Sequence, residues 1–330
     1  MKIVQYQNYQ CVQLSNQTLT LLVTQSVGPR ILSLRVKGGE NLFAELPNKV
    51  LDRSDGRTYR FYGGHRLWHA PEDVNRTYLP DNEPVEISPL ERGCRVVQPV
   101  EPETGLQKTI EIQLSPKQAV VEVEHILTNR GAKPTPCALW AITQFKPGGV
   151  ALLPQNTGLM NGNPTLPNRT LAFWPYTDIK NPHLTLKNDA IIIEAKFEDG
   201  ALKVGFPNPR GWLAYWQEGV LFVKRAVCHS SAEYYDFGSS SECYCAPDVL
   251  ELETLGPKVT LQPGESAAHK ETWEIYTNFE WNDDLAETMA FIENRLFGNS
   301  RGVQHARAGW PHPAGGVRGS GLPLRAKTNV

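Results

Sequence analysis

From the N-terminus to about residue 276, apolar and polar residues alternate in short runs, and only at residues 282–298 does the spacing become helical. That period constrains the fold more than any other feature. Alternation places successive side chains on opposite faces of a strand, so each run must lie half buried against a partner. The clearest cases are residues 106–114 and 119–127; in the second, Ala119, Val121, Val123 and His125 share one face while Glu122 and Glu124 share the other. Residues 11–14, 19–23, 28–36, 85–87, 94–97, 190–195, 202–206, 211–216, 220–225, 249–255, 259–261 and 269–276 read as further strands. Residues 137–145 are apolar almost throughout, as expected of a strand covered on both faces, while Pro134 and Pro136 are expected to bar strand structure just before it. The 27 Gly and 25 Pro supply the turns for so many short strands, and the prediction is all-β, a large antiparallel β-sandwich. Leu285, Met289, Ile292 and Leu296 then predict one short C-terminal helix packing on the sheet, begun near Asn282 and ended by Gly298.

At 330 residues this is read as one domain over 1–298, followed by a Gly-, Pro- and Arg-rich tail, 299–330, expected to be disordered. The tail holds five basic residues (Arg301, Arg307, Arg318, Arg325, Lys327) and no acid, leaving 28 basic against 35 acidic residues in the body. An acidic body argues against nucleic-acid or anionic-membrane partners. No apolar run approaches the roughly 18–20 residues that span a bilayer. Six cysteines in a chain of this size make no disulfide framework, and the N-terminus lacks the order of a signal peptide, so a cytoplasmic location is expected. Cys243 and Cys245 have no second Cys or His pair at metal-binding spacing, and no metal or organic cofactor is implied.

The densest collection of ligand-contacting side chains is residues 60–72, with Arg60, Gly63, Gly64, His65, Arg66, Trp68 and Glu72. Adjacent glycines let backbone pass close to a neighbour, while the rest supply a titratable ring, a guanidinium fork, a stacking face and a carboxylate. A pyranose needs that mixture, since it offers hydroxyls all round and one apolar C–H face. The loop at 73–83 is expected to border the cleft, and residues 152–181, with Trp174 and Tyr176, read as long connections carrying aromatics. A second cluster runs from Tyr234 through Asp236 and Glu242 to Tyr244. It precedes a strand in which Glu251 and Glu253 share a face, either towards water or towards a cleft. Lys224 closes one apolar run and Gln144 stands near the end of another, as polar tips for the same cleft.

In this order the segments resemble the galactose mutarotase-like superfamily, over about residues 8–280. Residues 28–34 with Gly38 and Gly39 look like its opening hairpin, and residues 60–68 like its Gly-Gly segment bearing sugar-binding Arg or His. Leu252-Glu253-Thr254 is similar to the strand presenting the mutarotase glutamate, and residues 259–264 with 269–276 look like the closing turn and strand. The Gly-Gly-His-Arg-Leu-Trp-x-Ala-Pro-Glu and Ala-Leu-Trp-x-Ile-Thr-Gln segments resemble one bacterial subfamily of it. The resemblance implies a carbohydrate-binding cleft and an aldose 1-epimerase-like isomerase. A base takes the anomeric proton and an acid protonates the ring oxygen, so the ring opens and recloses on the other face. Glu253 matches the base. The mutarotase histidine segment corresponds here to residues 141–145, where neither Thr143 nor Gln144 delivers a proton as an imidazolium does, so His65, or else His125, is the candidate acid. Arg60, Arg66, Trp68, Gln144, Lys224, Asp236, Glu242 and Glu251 are the candidate sugar contacts, and Arg60 and Arg66 suit an acidic or phosphorylated sugar. A binding protein that kept the cleft and lost the reaction, or a lyase or hydrolase using Tyr235, Asp236 and Glu242, are the competing readings.

Overall fold

The computed structural model describes residues 1–282 and 284–297. Two large antiparallel sheets hold most of the strands. The first runs Lys2–Tyr6, Tyr9–Ser15, Leu19–Thr24, Arg30–Val36, His65–Ala70, Thr135–Phe145, Val249–Leu255, Ser241–Ala246, Leu202–Phe206, Ala172–Phe173. The second runs Leu184–Leu186, Ala190–Glu194, Val150–Pro154, Trp212–Gln217, Val220–Ala226, Ser266–Thr277, Val120–Asn129, Leu106–Leu114, Gly93–Val97, Glu86–Leu90. One contiguous core draws on both, with Leu139 and Phe145 from the first sheet and Val121, Val123, Phe222 and Trp273 from the second. The β-sandwich expected from the periodicity is therefore what forms. This unit covers Met1–Leu285, and the helix Leu285–Phe297 belongs to a second unit from Ala286 onward. The basic tail lies outside the described residues. No described helix is long and apolar enough to cross a membrane.

One expectation is corrected and one element is added. Pro136 does not bar strand structure: Thr135–Phe145 includes it, and there the strand pairs with the three-residue Val259–Leu261. Proline is tolerated at a strand's start, where the missing N–H costs little. Residues 45–63, where no strand was expected, form a separate hairpin, Glu45–Asp52 with Thr58–Gly63.

That hairpin explains why residues 137–145 are apolar on both faces. Leu139 and Phe145 point into the sandwich, while Ala138, Trp140 and Ile142 point outward into a second cluster with Tyr59 of the hairpin, Trp68, Tyr234 and Leu255. The chain leaves the hairpin through Gly63 and Gly64, at φ +98° and +77°. A Cβ at either would collide with backbone, the carbonyl of Ala44 or of Ile31, so the two glycines allow His65–Ala70 to enter the sheet centre.

Candidate functional site

Strand register builds the site. Arg66, Ile142, Glu253, Glu242 and Gly205 are successive cross-strand partners, and so are Gln144, Glu251, Tyr244 and Lys203. Cross-strand partners share a face. These two rows therefore stand side by side on the outer face of the first sheet, next to the Trp68–Trp140 pair.

Above them lies a cavity of about 280 Å³ lined by Arg66, Trp68, Trp140, Lys203, Tyr244 and Glu251 from the sheet, Lys49 and Phe61 from the hairpin, Glu72, Tyr78, Tyr176 and Ala201. Its cations are held. The Arg66 guanidinium sits 4.1 Å from the Trp68 ring centre, donates to the Phe61 carbonyl at 3.3 Å, and lies 4.0 Å from Glu251 Oε1. Lys203 Nζ lies over Trp140 and Trp174 at 4.5 and 4.7 Å. It is 2.9 Å from Glu253 Oε2 and 2.7 Å from Glu242 Oε2. Burial alone would lower the Lys203 proton affinity, but these two carboxylates together push it well above the ordinary lysine value. Lys49 pairs with Asp248 at 2.9 Å.

Glu251 is the carboxylate best placed for proton transfer. Gln144 Nε2 donates to its Oε1 at 2.6 Å, which fixes the group, and the residue lines the cavity. Burial first, and then the charge of Glu253, raise its pKa against the opposing effects of Arg66, Lys203 and Gln144. A carboxyl raised in this way takes and returns a proton closer to neutrality. Glu72, bonded by the Tyr78 hydroxyl, is a second carboxylate on the cavity wall. Burial pushes the Tyr244 hydroxyl up to about 12.

The structure brings Arg66, Trp68 and Glu251 together on the cavity wall and sets Glu253, Glu242 and Gln144 directly behind them. Glu253 is fully buried, its Oε2 accepting from Trp140 Nε1 at 2.6 Å. Arg60 is exposed on the hairpin opposite Val50, and Asp236 sits on a one-turn 3-10 helix; neither lines the cavity. His65 and Lys224 are on the other side of the sheet. His65 alternates with Arg66, so while Arg66 faces the cavity His65 faces the sandwich interior, fully buried. Lys203, Trp140, Tyr78, Phe61 and Lys49 join the wall without having been singled out as contacts, while Glu72 comes from the 60–72 segment, Tyr176 from the aromatic connections and Tyr244 from the second cluster. Lys203 and Trp140 share the face of Glu251 and Glu253 through strand pairing, which alternation within a single strand does not reveal.

The interior group has its own logic. His125 Nδ1 donates to the His269 carbonyl at 3.0 Å, so its Nε2 must accept from His65 Nε2 at 2.7 Å, and His65 Nδ1 must accept from the Thr143 hydroxyl at 2.9 Å. Lys224 Nζ donates to Thr143 Oγ1, Ala141 O and Leu252 O at 2.9–3.1 Å, and pairs with Glu271 Oε1 at 2.8 Å. His269 Nε2 donates to the Thr254 hydroxyl, which donates in turn to Glu271. His65, His125 and Glu271 have metal-ligand spacing, with donor atoms within 4.8 Å of one another. The hydrogen bonds already use these donor atoms: the two Nε2 atoms bond each other, and Glu271 Oε1 pairs with Lys224.

Burial holds His65, His69 and His125 below the ordinary histidine value, and His269 at about 3. The sign follows. Above about pH 6.5 these rings are neutral folded or unfolded and contribute nothing. Below it the unfolded chain binds protons that the folded chain refuses, so stability falls with pH. Glu242 and Glu251, raised in the folded state, oppose this but are fewer. Chemical denaturation from pH 6.5 to 5 should show stability falling by about 1.4 kcal/mol per pH unit for each net proton taken up on unfolding. A flat profile would mean the rings are not held neutral.

No protein-family profile and no curated protein matches the sequence. Among solved structures the chain is similar to a candidate mutarotase (YeaD) from Salmonella typhimurium, at 13% identity over 83% of this chain and 93% of that one, TM-score 0.52. It is also similar to a candidate aldose 1-epimerase from Klebsiella pneumoniae, at 12% identity over 90% and 86%, TM-score 0.52. A third likeness is to a TPR-domain containing protein from Parabacteroides distasonis, at 15% identity over 91% of this chain and 50% of that one, TM-score 0.57. At such identities the likeness speaks for the fold. The chain has the galactose mutarotase-like β-sandwich, and chemistry must be argued from the site itself.

Proposed function

We propose that the protein binds a single sugar ring in the cavity walled by Arg66, Trp68, Lys203 and Glu251, and interconverts its anomers by acid–base catalysis. The observation that carries this reading is Glu251: a carboxyl of raised proton affinity, fixed through one oxygen by Gln144, on the wall of a cavity rich in aromatic and hydrogen-bonding groups. The volume of about 280 Å³ lies just under the roughly 300–1,000 Å³ of drug-sized sites, which suits one ring and not a chain. Glu251 takes the anomeric proton in this scheme, and Glu72 with Tyr78 is the group positioned to serve the ring oxygen. Glu253, the base suggested by the family resemblance, acts behind Lys203 and Trp140, and His65 acts in the core.

The sugar is inferred to be uncharged, because each wall cation already has a carboxylate at or within 4.0 Å. Exchange NMR on aldoses, uronic acids and sugar phosphates tests both points: accelerated α-to-β exchange is expected for a neutral aldose. Acceleration only with the charged sugars would restore the anionic substrate suggested by Arg60 and Arg66. Binding by saturation transfer without acceleration of any sugar would establish the second reading, a non-catalytic sugar-binding protein. Gln144 favours that reading, since it stands where the family resemblance leads one to expect a histidine.

A further inference from the structure

Behind the cavity wall, two carboxylates share one counter-ion. Glu242 and Glu253 are direct cross-strand partners, both fully buried, and among the described residues Lys203 Nζ is the one cation paired with both, at 2.7 and 2.9 Å. Glu253 Oε2 has a second donor in Trp140 Nε1. Glu242 has none among the described residues: apart from that ammonium its carboxylate is buried without a hydrogen-bond partner, as is Glu253 Oε1. The Ser239 hydroxyl, which crowds Gly205 opposite Glu242, donates to the Asp236 carbonyl instead. Asp236, on a neighbouring element and of the same sign, also acts on Glu242.

One ammonium balances one carboxylate. Two ionised carboxylates side by side in a dry site would leave an unpaired negative charge there, which the site avoids by keeping a proton. We propose that Glu242 and Glu253 share one proton, held mainly by Glu242, and that Glu242 is thereby a positioning residue that accepts from Lys203 and fixes it in the cavity wall as the counter-ion of Glu253. The allocation follows from the donors: Glu253, with two, is the better anion. Burial, with Glu253 and Asp236 outweighing Lys203, raises the proton affinity of Glu242 in agreement. The consequence for the site rests on the sugar reading. Glu251 feels the charge of Glu253, so an ionised Glu242 would add a second negative charge behind the general base.

The test needs no sugar, so its outcome is independent of whether the cavity binds one. Isotope-edited infrared spectroscopy of the full chain, labelled at the glutamate carboxyl carbons, is run at pH 8. It should show the carbonyl stretch of a protonated carboxylic acid, and Glu242→Gln should abolish it. Glu253→Gln should abolish it too, because Glu242 left alone with Lys203 ionises; that joint loss is the mark of a shared proton. A wild-type spectrum with only carboxylate bands overturns the proposal. So does an acid band that persists in both variants and disappears in Glu251→Gln. If either variant fails to fold, the wild-type carboxyl carbon titration decides: one coupled pair changing together supports sharing, and two independent ionised groups refute it.

Discussion

Lys224→Met is expected to destabilise the protein by about 3–5 kcal/mol, measured by urea or thermal unfolding. The side chain is fully buried, and removing it strands Glu271, equally buried, without its cation. It also takes a donor from Thr143 Oγ1, Ala141 O and Leu252 O, between the strands that carry Gln144 and Glu253 on their outer face. Against a total stability of about 5–15 kcal/mol, such a loss is a large fraction. Glu271→Gln in the same chain should restore a substantial part, since the penalty comes from the uncompensated charge and not from the missing methylene chain. A cost below about 1 kcal/mol for the single variant would show that Glu271 is not buried as an anion.

Glu251→Gln is expected to slow anomer exchange by about 10²–10⁴, the usual worth of a general acid–base group, with saturation-transfer signals for the sugar retained. The amide keeps the shape and can still bond Gln144, so the loss would fall on proton transfer and not on binding. In the wild type the acidic limb of the kcat/KM profile should lie above the ordinary carboxylate range, because burial and Glu253 raise the Glu251 pKa. The base form dominates above that raised value, and activity is lost as pH falls through it. Unchanged exchange in Glu251→Gln combined with loss in Glu253→Gln would return the base to Glu253.

Much of the fold was legible because strand periodicity is local. Val121, Val123 and His125 on one face, Glu122 and Glu124 on the other, needed no tertiary information to assign, and burial follows that alternation. The site was partly legible for the same reason, since Glu251 and Glu253 were known to share a face. What alternation leaves open is which face looks into the sandwich and which carries the cavity. His65 and Arg66, neighbours in sequence and both reactive, were read as one cluster, yet adjacent strand residues point to opposite sides. The residues grouped by proximity along the chain were thus separated by the pleat.

The sequence by itself determined the architecture, the paired orientation of Glu251 and Glu253, and the two glycines that let His65–Ala70 into the sheet. Register and layering decided the rest. Lys203 comes from a strand 48 residues away from Glu251 and reaches the same wall only because Tyr244 is the partner of both. The separation of Glu251 towards the cavity from Glu253 behind Lys203 and Trp140 depends on which side chains meet across strands. That is a property of long-range pairing, and no local pattern of residues encodes it.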